Sequence, residues 1–366
     1  MTSEAATLKA STALKTARAQ RGSLVLMATG VLALTGMVLG VLLGPLEIGL
    51  GDMATVLASQ VGLADASEVS RVKQGVIENI RMPRVILGAF VGAALGVAGA
   101  AMQGFFRNPL ADPGLIGVST GGALAAVAVI VLGGTLLAPV LALLGNFSLP
   151  FVAFFGSLAA VALIYQVSLV DGRVVVATML LAGVAANALA AAGIGYMTFL
   201  ADDVQLRDLT FWTLGSLGGA IWERVVPALF LIGISIAGLV TLARPMNALL
   251  LGEADAAHLG VNVEALKLRA AVFTALGVGA ATAVCGVIGF IGLVVPHLVR
   301  LMTGPDHRYV LPGSALLGAA LILFADLAAR LVVAPAELPL GVVTAALGAP
   351  FFFWLLLKDK TKGSFG

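Results

Sequence analysis

Ten times between positions 24 and 357 the chain runs apolar for about 20 residues, the length an α-helix needs to cross a ~30 Å hydrocarbon core. A backbone in lipid must satisfy its own hydrogen bonds, so such runs fold as helices and predict an all-α, polytopic membrane protein. The spans are read at 24–43, 85–102, 115–132, 149–169, 174–199, 225–242, 268–285, 287–302, 311–333 and 338–357. The seventh and eighth are separated because 268–302 as a single helix would be about 52 Å long, and Gly286 and Gly289 offer the break. Composition agrees: 11% of the 366 residues are charged, against about 25% in a soluble domain. Cys285 is the only cysteine, which excludes an intrachain disulfide and a multi-cysteine metal site. The expected organisation is a polar N-terminal tail over 1–22, one transmembrane domain over 23–358 and a C-terminal tail over 359–366.

An even number of spans puts both termini on one side, and the distribution of Lys and Arg decides which. With the termini inside, 14 of the 21 basic residues are inside, leaving Arg71, Lys73, Arg81, Arg84, Arg207, Arg224 and Arg330 outside. Both termini are therefore expected in the cytoplasm. The net charge of +2 is shared between two aqueous faces and carries no sign of a nucleic-acid partner, so none is expected.

One inner segment is out of character with the rest. "NALLLGEADAAHLGVNVEALKLRA", positions 247–270, is charged and helix-patterned but too small to make a core. Pro245 and Asn247 start a short helix that Gly252 ends; Glu253 and Asp255 then open a second, with His258 in its last turn before Gly260. Acid first, base last and glycine beyond is the order that suits the helix dipole and its C-cap. The small apolar side, Ala254, Ala257 and Leu259, suits docking into a groove of another protein, and a solvated loop helix is the alternative.

"GEADAAHLGV" resembles the cytoplasmic coupling helices of bacterial ABC importer permeases, the class that imports vitamin B12, ferric siderophores and haem. Three further stretches are similar to the same class: "RMPRVILGAFVGAALGVAGAAMQGFFRNPLADPGLIGVSTG", "GFIGLVVPHLVRLMTGPDHRYVLPG" and "ADLAARLVVAPAELPLGVVTAALGAPFFFWLLLK". The resemblance implies a type II importer permease with ten helices per subunit, in the bacterial inner membrane. It also implies a homodimer around a central pathway, two ATP-binding cassette subunits inside and a periplasmic binding protein outside. Gly252, Glu253, Ala254, Asp255, Leu259 and Gly260, within coupling helices at about 245–263, are then the expected contacts with the ATPase.

"QLRDLTFWTLGSLGGA" is similar to the haem permeases in particular, so haem is the expected cargo, with cobalamin or a ferric siderophore as alternatives. Asp203 can cap a short outer gate helix that puts Leu206, Leu209 and Trp212 on one face. The fifth span is rich in Ala and Gly, and the resemblance places it along the pathway. Its polar interruptions, Asn187 and Tyr196, are read either as interhelical hydrogen bonds or as pathway contacts. Arg173, at the inner start of that span, follows from the positive-inside bias or flanks the inner mouth and attracts the carboxylates of haem. Arg81, Arg84 and Arg330 are read as salt-bridge donors to the binding protein, the alternative being headgroup snorkelling.

His258, His297 and His307 all fall at or near the cytoplasmic side, so none is expected to receive haem iron from outside. An ion-coupled secondary transporter is the rival class. Asp326 is its only midplane acid, and pairing with Arg330 one turn on is the simpler role for it. The sequence contains neither H-E-x-x-H nor the G-x-x-x-x-G-K-[ST] phosphate loop. The chain is thus expected to be no enzyme and to bind no cofactor, with ATP and Mg held by the partner subunits.

Overall fold

The computed structural model describes residues 2–135 and 137–361; Met1, Leu136 and positions 362–366, the end of the expected C-terminal tail, lie outside the described residues. Helix α1 (Thr2–Leu42) carries the first span and prolongs it back through the polar residues expected as a tail. After α2 (Leu50–Gln60), helix α3 (Arg71–Val76) passes through a π-helical turn, Ile77–Arg81, into α4 (Met82–Phe105). Then follow α5 (Val118–Leu132), α6 (Ala138–Leu144) and α7 (Ser148–Val167). A two-residue antiparallel hairpin, Leu169–Val170 against Arg173–Val174, leads into α8 (Val176–Leu200). The remaining helices are α9 (Asp203–Thr213), α10 (Trp222–Thr241), α11 (Ala243–Leu249), α12 (Glu253–His258), α13 (Val263–Cys285), α14 (Ile291–Thr303), α15 (His307–Leu331) and α16 (Leu340–Thr361).

Among the described residues seven helices are long and apolar enough to cross a membrane, and the apolar helices over Val118–Leu132, Ile291–Thr303 and Leu340–Trp354 are shorter. Each of the ten apolar runs overlaps one of these helices. Helix α4 lies at the centre, packed by α15, α14, α13 and α10. Small residues permit the approach. A Cβ at Gly92 would collide with the carbonyl of Gly318, one at Gly96 with that of Ser314, and one at Gly99 with that of Gly292.

The eighth span differs from the helix expected over 287–302. Helix α14 begins only at Ile291, and its 13 residues rise about 20 Å, less than the hydrocarbon core. Gly286 (φ 74) and Phe290 (φ 69) bound a non-helical stretch between the apolar helices α13 and α14. Such backbone is stable only where protein covers it. Here Ser216 donates its N–H to the Cys285 carbonyl at 2.8 Å, and the Trp212 carbonyl leaves no room for a side chain at Gly286.

The connections gather into two clusters at the ends of the bundle. One holds the Lys73–Asp52 ion pair (2.6 Å), the Trp222 indole donating to the Glu78 carbonyl (2.8 Å), and Arg81, Arg84 and Arg330. The other holds the α11–α12 segment, the α7–α8 hairpin, the α14–α15 turn and Arg300, which donates to Gln103 Oε1 at 2.8 Å. Lys73, Arg81, Arg84 and Arg330 of the expected outer set fall in the first cluster, and Arg173, Lys267, Arg300 and Arg308 of the expected inner set in the second.

Candidate coupling surface and transport path

Helix α12 is a single short helix held between two glycines in backbone conformations that side chains disfavour, Gly252 at φ 124 and Gly260 at φ 82. Only Ala256 of this helix is buried. Glu253, Ala254, Asp255, Ala257, His258 and Leu259 are all exposed, Leu259 to 65%, and Leu251 extends the apolar patch at 63%. Two leucines this open beside small residues form a surface without a partner among the described residues. Glu253 differs from its neighbours in that its carboxylate reaches inward to the ammonium of Lys267, 2.9 Å away.

The segment is fixed to the bundle by Asn247 and Lys267, in roles that the sequence does not reveal. Asn247, expected at the start of a helix, lies inside α11, which begins at Ala243. Its amide donates to Asp306 Oδ1 (2.7 Å), and its Oδ1 accepts the backbone N–H of His307 (2.8 Å), tying α11 to the N-terminus of α15. Burial opposes ionisation of Asp306, but hydrogen bonds from Arg308 and Asn247 outweigh it and hold the carboxyl down at about 2. This folded value lies below the ordinary 3.8, so the stabilisation is complete above that value and is lost as pH falls towards about 2. Asn247→Ala removes one of these bonds, and its acid unfolding in detergent, followed by tryptophan fluorescence, is expected at a higher pH than that of the parent chain.

Lys267 is the second fixing point. It is 1% exposed, and its ammonium donates to Glu253, to Glu264 Oε1 (3.3 Å) and to the Val174 carbonyl (3.1 Å). A lysine immediately ahead of a membrane span, three residues after a glutamate, is the available sequence signal.

Helix α8 leaves one face open along its length: Ala177, Leu181, Val184, Ala188, Gly195 and Phe199 are exposed at helical spacing. Asn187 turns the other way. It accepts a hydrogen bond from the Thr120 hydroxyl and donates to the Gly114 carbonyl at 3.1 Å, so of its two readings the interhelical bond is the one observed. Tyr196 is 61% exposed on the open side. Arg173 is exposed within the hairpin, three residues ahead of α8 rather than in its first turn.

A short helix is present where one was expected after the fifth span, α9, with one correction. Its N-cap is Asp202, which accepts from the Gln205 N–H at 2.8 Å while Gln205 Oε1 accepts the Asp202 N–H; Asp203 is already inside the first turn. Leu209 is buried against Val127 and Val131, Leu206 is half-buried, and Trp212 packs beside Ala126, Ala153 and Ala283. Beyond α9, Leu214 and Gly215 accept the N–H groups of Gly341 and Leu340, both at 2.9 Å. Helix α9 is thereby joined to the start of α16 and to the α13–α14 break.

Arg81, Arg84 and Arg330, expected to stand free for a docking partner, are instead buried, at 4%, 8% and 7% exposure. Arg81 donates to the carbonyls of Val41 (2.6 Å), Leu42 (2.9 Å) and Leu46 (2.5 Å), around the C-terminal end of α1. Arg84 makes bidentate pairs with both Asp326 and Glu337, with N–O distances from 2.9 to 3.2 Å. Arg330 Nε lies 3.1 Å from Asp326 and its terminal nitrogens face the Gly40 and Leu43 carbonyls. Unpaired guanidinium groups at this depth would be strongly unfavourable, so the chain supplies carboxylates and helix-end carbonyls to each. The expected Asp326–Arg330 pair is present, with Arg84 on the same carboxylate.

The histidines are separate from one another. His258 is exposed in α12, the His297 ring packs edge-on to Phe351, and His307 is buried at the start of α15 with Nδ1 3.0 Å from Asn247 Oδ1.

Residues 31–358 match the model of the FecCD transport family. The hemin transport system permease protein HmuU of Yersinia pestis is 51% identical over 287 residues, which are 78% of this chain and 84% of that protein. The cobalamin import system permease protein BtuC of Halobacterium salinarum is 42% identical over 292 residues, 80% of this chain and 76% of that protein. A solved inward-facing conformation of a metal-chelate type ABC transporter superposes with a TM-score of 0.77 at 28% identity, over 91% of this chain and 98% of that one.

Proposed function

The chain belongs to the FecCD transport family and is an ABC importer permease, and from that premise we propose that it carries haem from the periplasm to the cytoplasm by alternating access. The observation that carries the choice of haem is the 51% identity to a hemin permease, against 42% to a cobalamin permease of similar coverage.

In this reading ten helices cross the inner membrane, with both termini in the cytoplasm. The short α14 completes its crossing through the protein-covered stretch that precedes it. Two copies face each other across their open α8 faces, and the pathway for haem lies between them, with Leu206, Leu209 and Trp212 of α9 at its outer mouth. Arg173, exposed at the opposite end, flanks the exit, where a guanidinium fork suits a haem propionate. The patch around Ala254, Ala257 and Leu259 docks on a separate ATP-binding subunit that holds ATP and Mg. At the other end an approaching periplasmic binding protein meets the exposed Val332 and Glu337 before the buried arginines.

The ion-coupled alternative is disfavoured by the one acid that would serve it. Asp326 is matched by two buried arginines, which leave no vacant cation site at that carboxylate. The deciding experiment is uptake by proteoliposomes containing this permease with its ATPase and binding protein, offered hemin, cobalamin and a ferric siderophore side by side. ATP-dependent accumulation of hemin alone is expected. Accumulation of cobalamin or the siderophore in its place would reassign the cargo.

A further inference from the structure

Val174, the second residue ahead of α8, is clamped at both of its backbone polar groups. Its N–H donates to Glu264 Oε2 at 2.9 Å, and its carbonyl accepts from Lys267 Nζ at 3.1 Å. Both clamping residues stand on the first turns of α13. The same ammonium also holds Glu253, the first residue of α12. Its three N–H donors are thus distributed over three pieces of structure: the strand that starts α8, helix α13 and helix α12. Lys267 and Val174 are 93 positions apart in the chain, and with the Glu253 bond this contact links α12 to the start of α8 through one side chain.

A fully buried lysine is a costly way to fill space, and an apolar residue of similar volume would pack there without desolvating a charge. What the ammonium adds is direction, because three acceptors on three elements fix their relative positions. Glu253 and Glu264 keep 44% and 33% of their side chains exposed at this end, so a subunit docking on α12 covers them and strengthens their attraction to Lys267. On the other side of the segment, Asn247 ties α11 to α15, a helix packed along the central α4.

We propose that Lys267 is a positioning residue for transport: it makes α12 and the N-terminal end of α8 move as one body, so that displacement of α12 by the ATPase is delivered directly to the pathway helix. This rests on the reading of α12 as the coupling helix. Loss of the ammonium leaves α12 able to dock and the partner able to hydrolyse ATP, while α8 no longer follows.

The test uses the full complex of permease, ATPase and binding protein in proteoliposomes, with hemin as the transported probe. Spin labels on Ala177→Cys, an exposed position in the first turn of α8, report the distance between the two permease copies with and without ATP. In the otherwise unaltered complex that distance shifts on ATP binding. With Lys267→Met the shift is lost and hemin transported per ATP hydrolysed falls about tenfold, while Lys267→Arg, which keeps the charge and its donors, restores most of both. A Lys267→Met complex with the full shift and an unchanged transport ratio overturns the relay. If that variant does not assemble, Glu264→Gln decides, since it weakens the hold on Val174 and Lys267; a retained shift there also overturns the relay. A parent permease that binds no ATPase subunit overturns the coupling reading itself, and the relay with it.

Discussion

Leu259→Arg is expected to abolish stable association with the ATPase subunit while the permease still inserts and folds. The side chain is 65% exposed at the end of α12, so the chain itself is expected to tolerate the change. The proposed docking covers the position, and burying an unpaired guanidinium at an interface costs about 3–5 kcal/mol, a loss of affinity on the order of a hundredfold or more. Affinity of the detergent-solubilised permease for its ATPase measures this directly, with thermal unfolding of the isolated permease as the control. Unchanged affinity would mean that α12 is a solvated loop helix and that the ATPase engages another surface.

The second large effect is on stability. Arg84→Ala removes the cation that joins α4, α15 and the α15–α16 connection through Asp326 and Glu337. Asp326, 3% exposed, is left with Arg330 alone. Breaking one side of a buried ion pair costs about 3–5 kcal/mol, most of it from the Asp326 arm, because Glu337 is 45% exposed and its share is screened. The thermal unfolding midpoint in detergent is expected to fall by on the order of 10 °C. Asp326→Ala alone should cost less when added to Arg84→Ala than when made in the parent chain, because the two changes break the same bond. An Arg84→Ala permease with its original midpoint but weaker binding-protein docking would restore the reading of Arg84 as a free outer cation.

The contrast between these two sites shows what hydropathy and local pattern reveal. Helix α12 was legible because its signals are neighbours in the chain: glycine, two acids, a histidine and glycine within 252–260. The Gly286 break was legible for a similar reason, since no 35-residue helix fits the bilayer. The arginines were misread because the partner of Arg84 lies 242 positions away and nothing local reveals it. An arginine beside a span looks the same in sequence whether it faces water or a carboxylate. The start of α14 was misread because apolar character measures transfer into lipid, not backbone hydrogen bonding, and residues 287–290 are apolar or small without being helical. Asp202 and Asp203 differ as caps only in backbone conformation. Lys267 was passed over as an ordinary inner-side positive charge, because its three acceptors come from segments that the fold alone brings together.

The central claim is that this chain converts ATP hydrolysis by a separate subunit into movement of substrate. The most direct measurement is hemin uptake into proteoliposomes that hold the permease with either an active or a hydrolysis-deficient ATPase subunit, with ATP supplied on the ATPase side and no ion gradient. Uptake that requires ATP and disappears with the deficient subunit is the predicted result. Uptake that persists with the deficient subunit, or that a proton or sodium gradient drives without ATP, would contradict it.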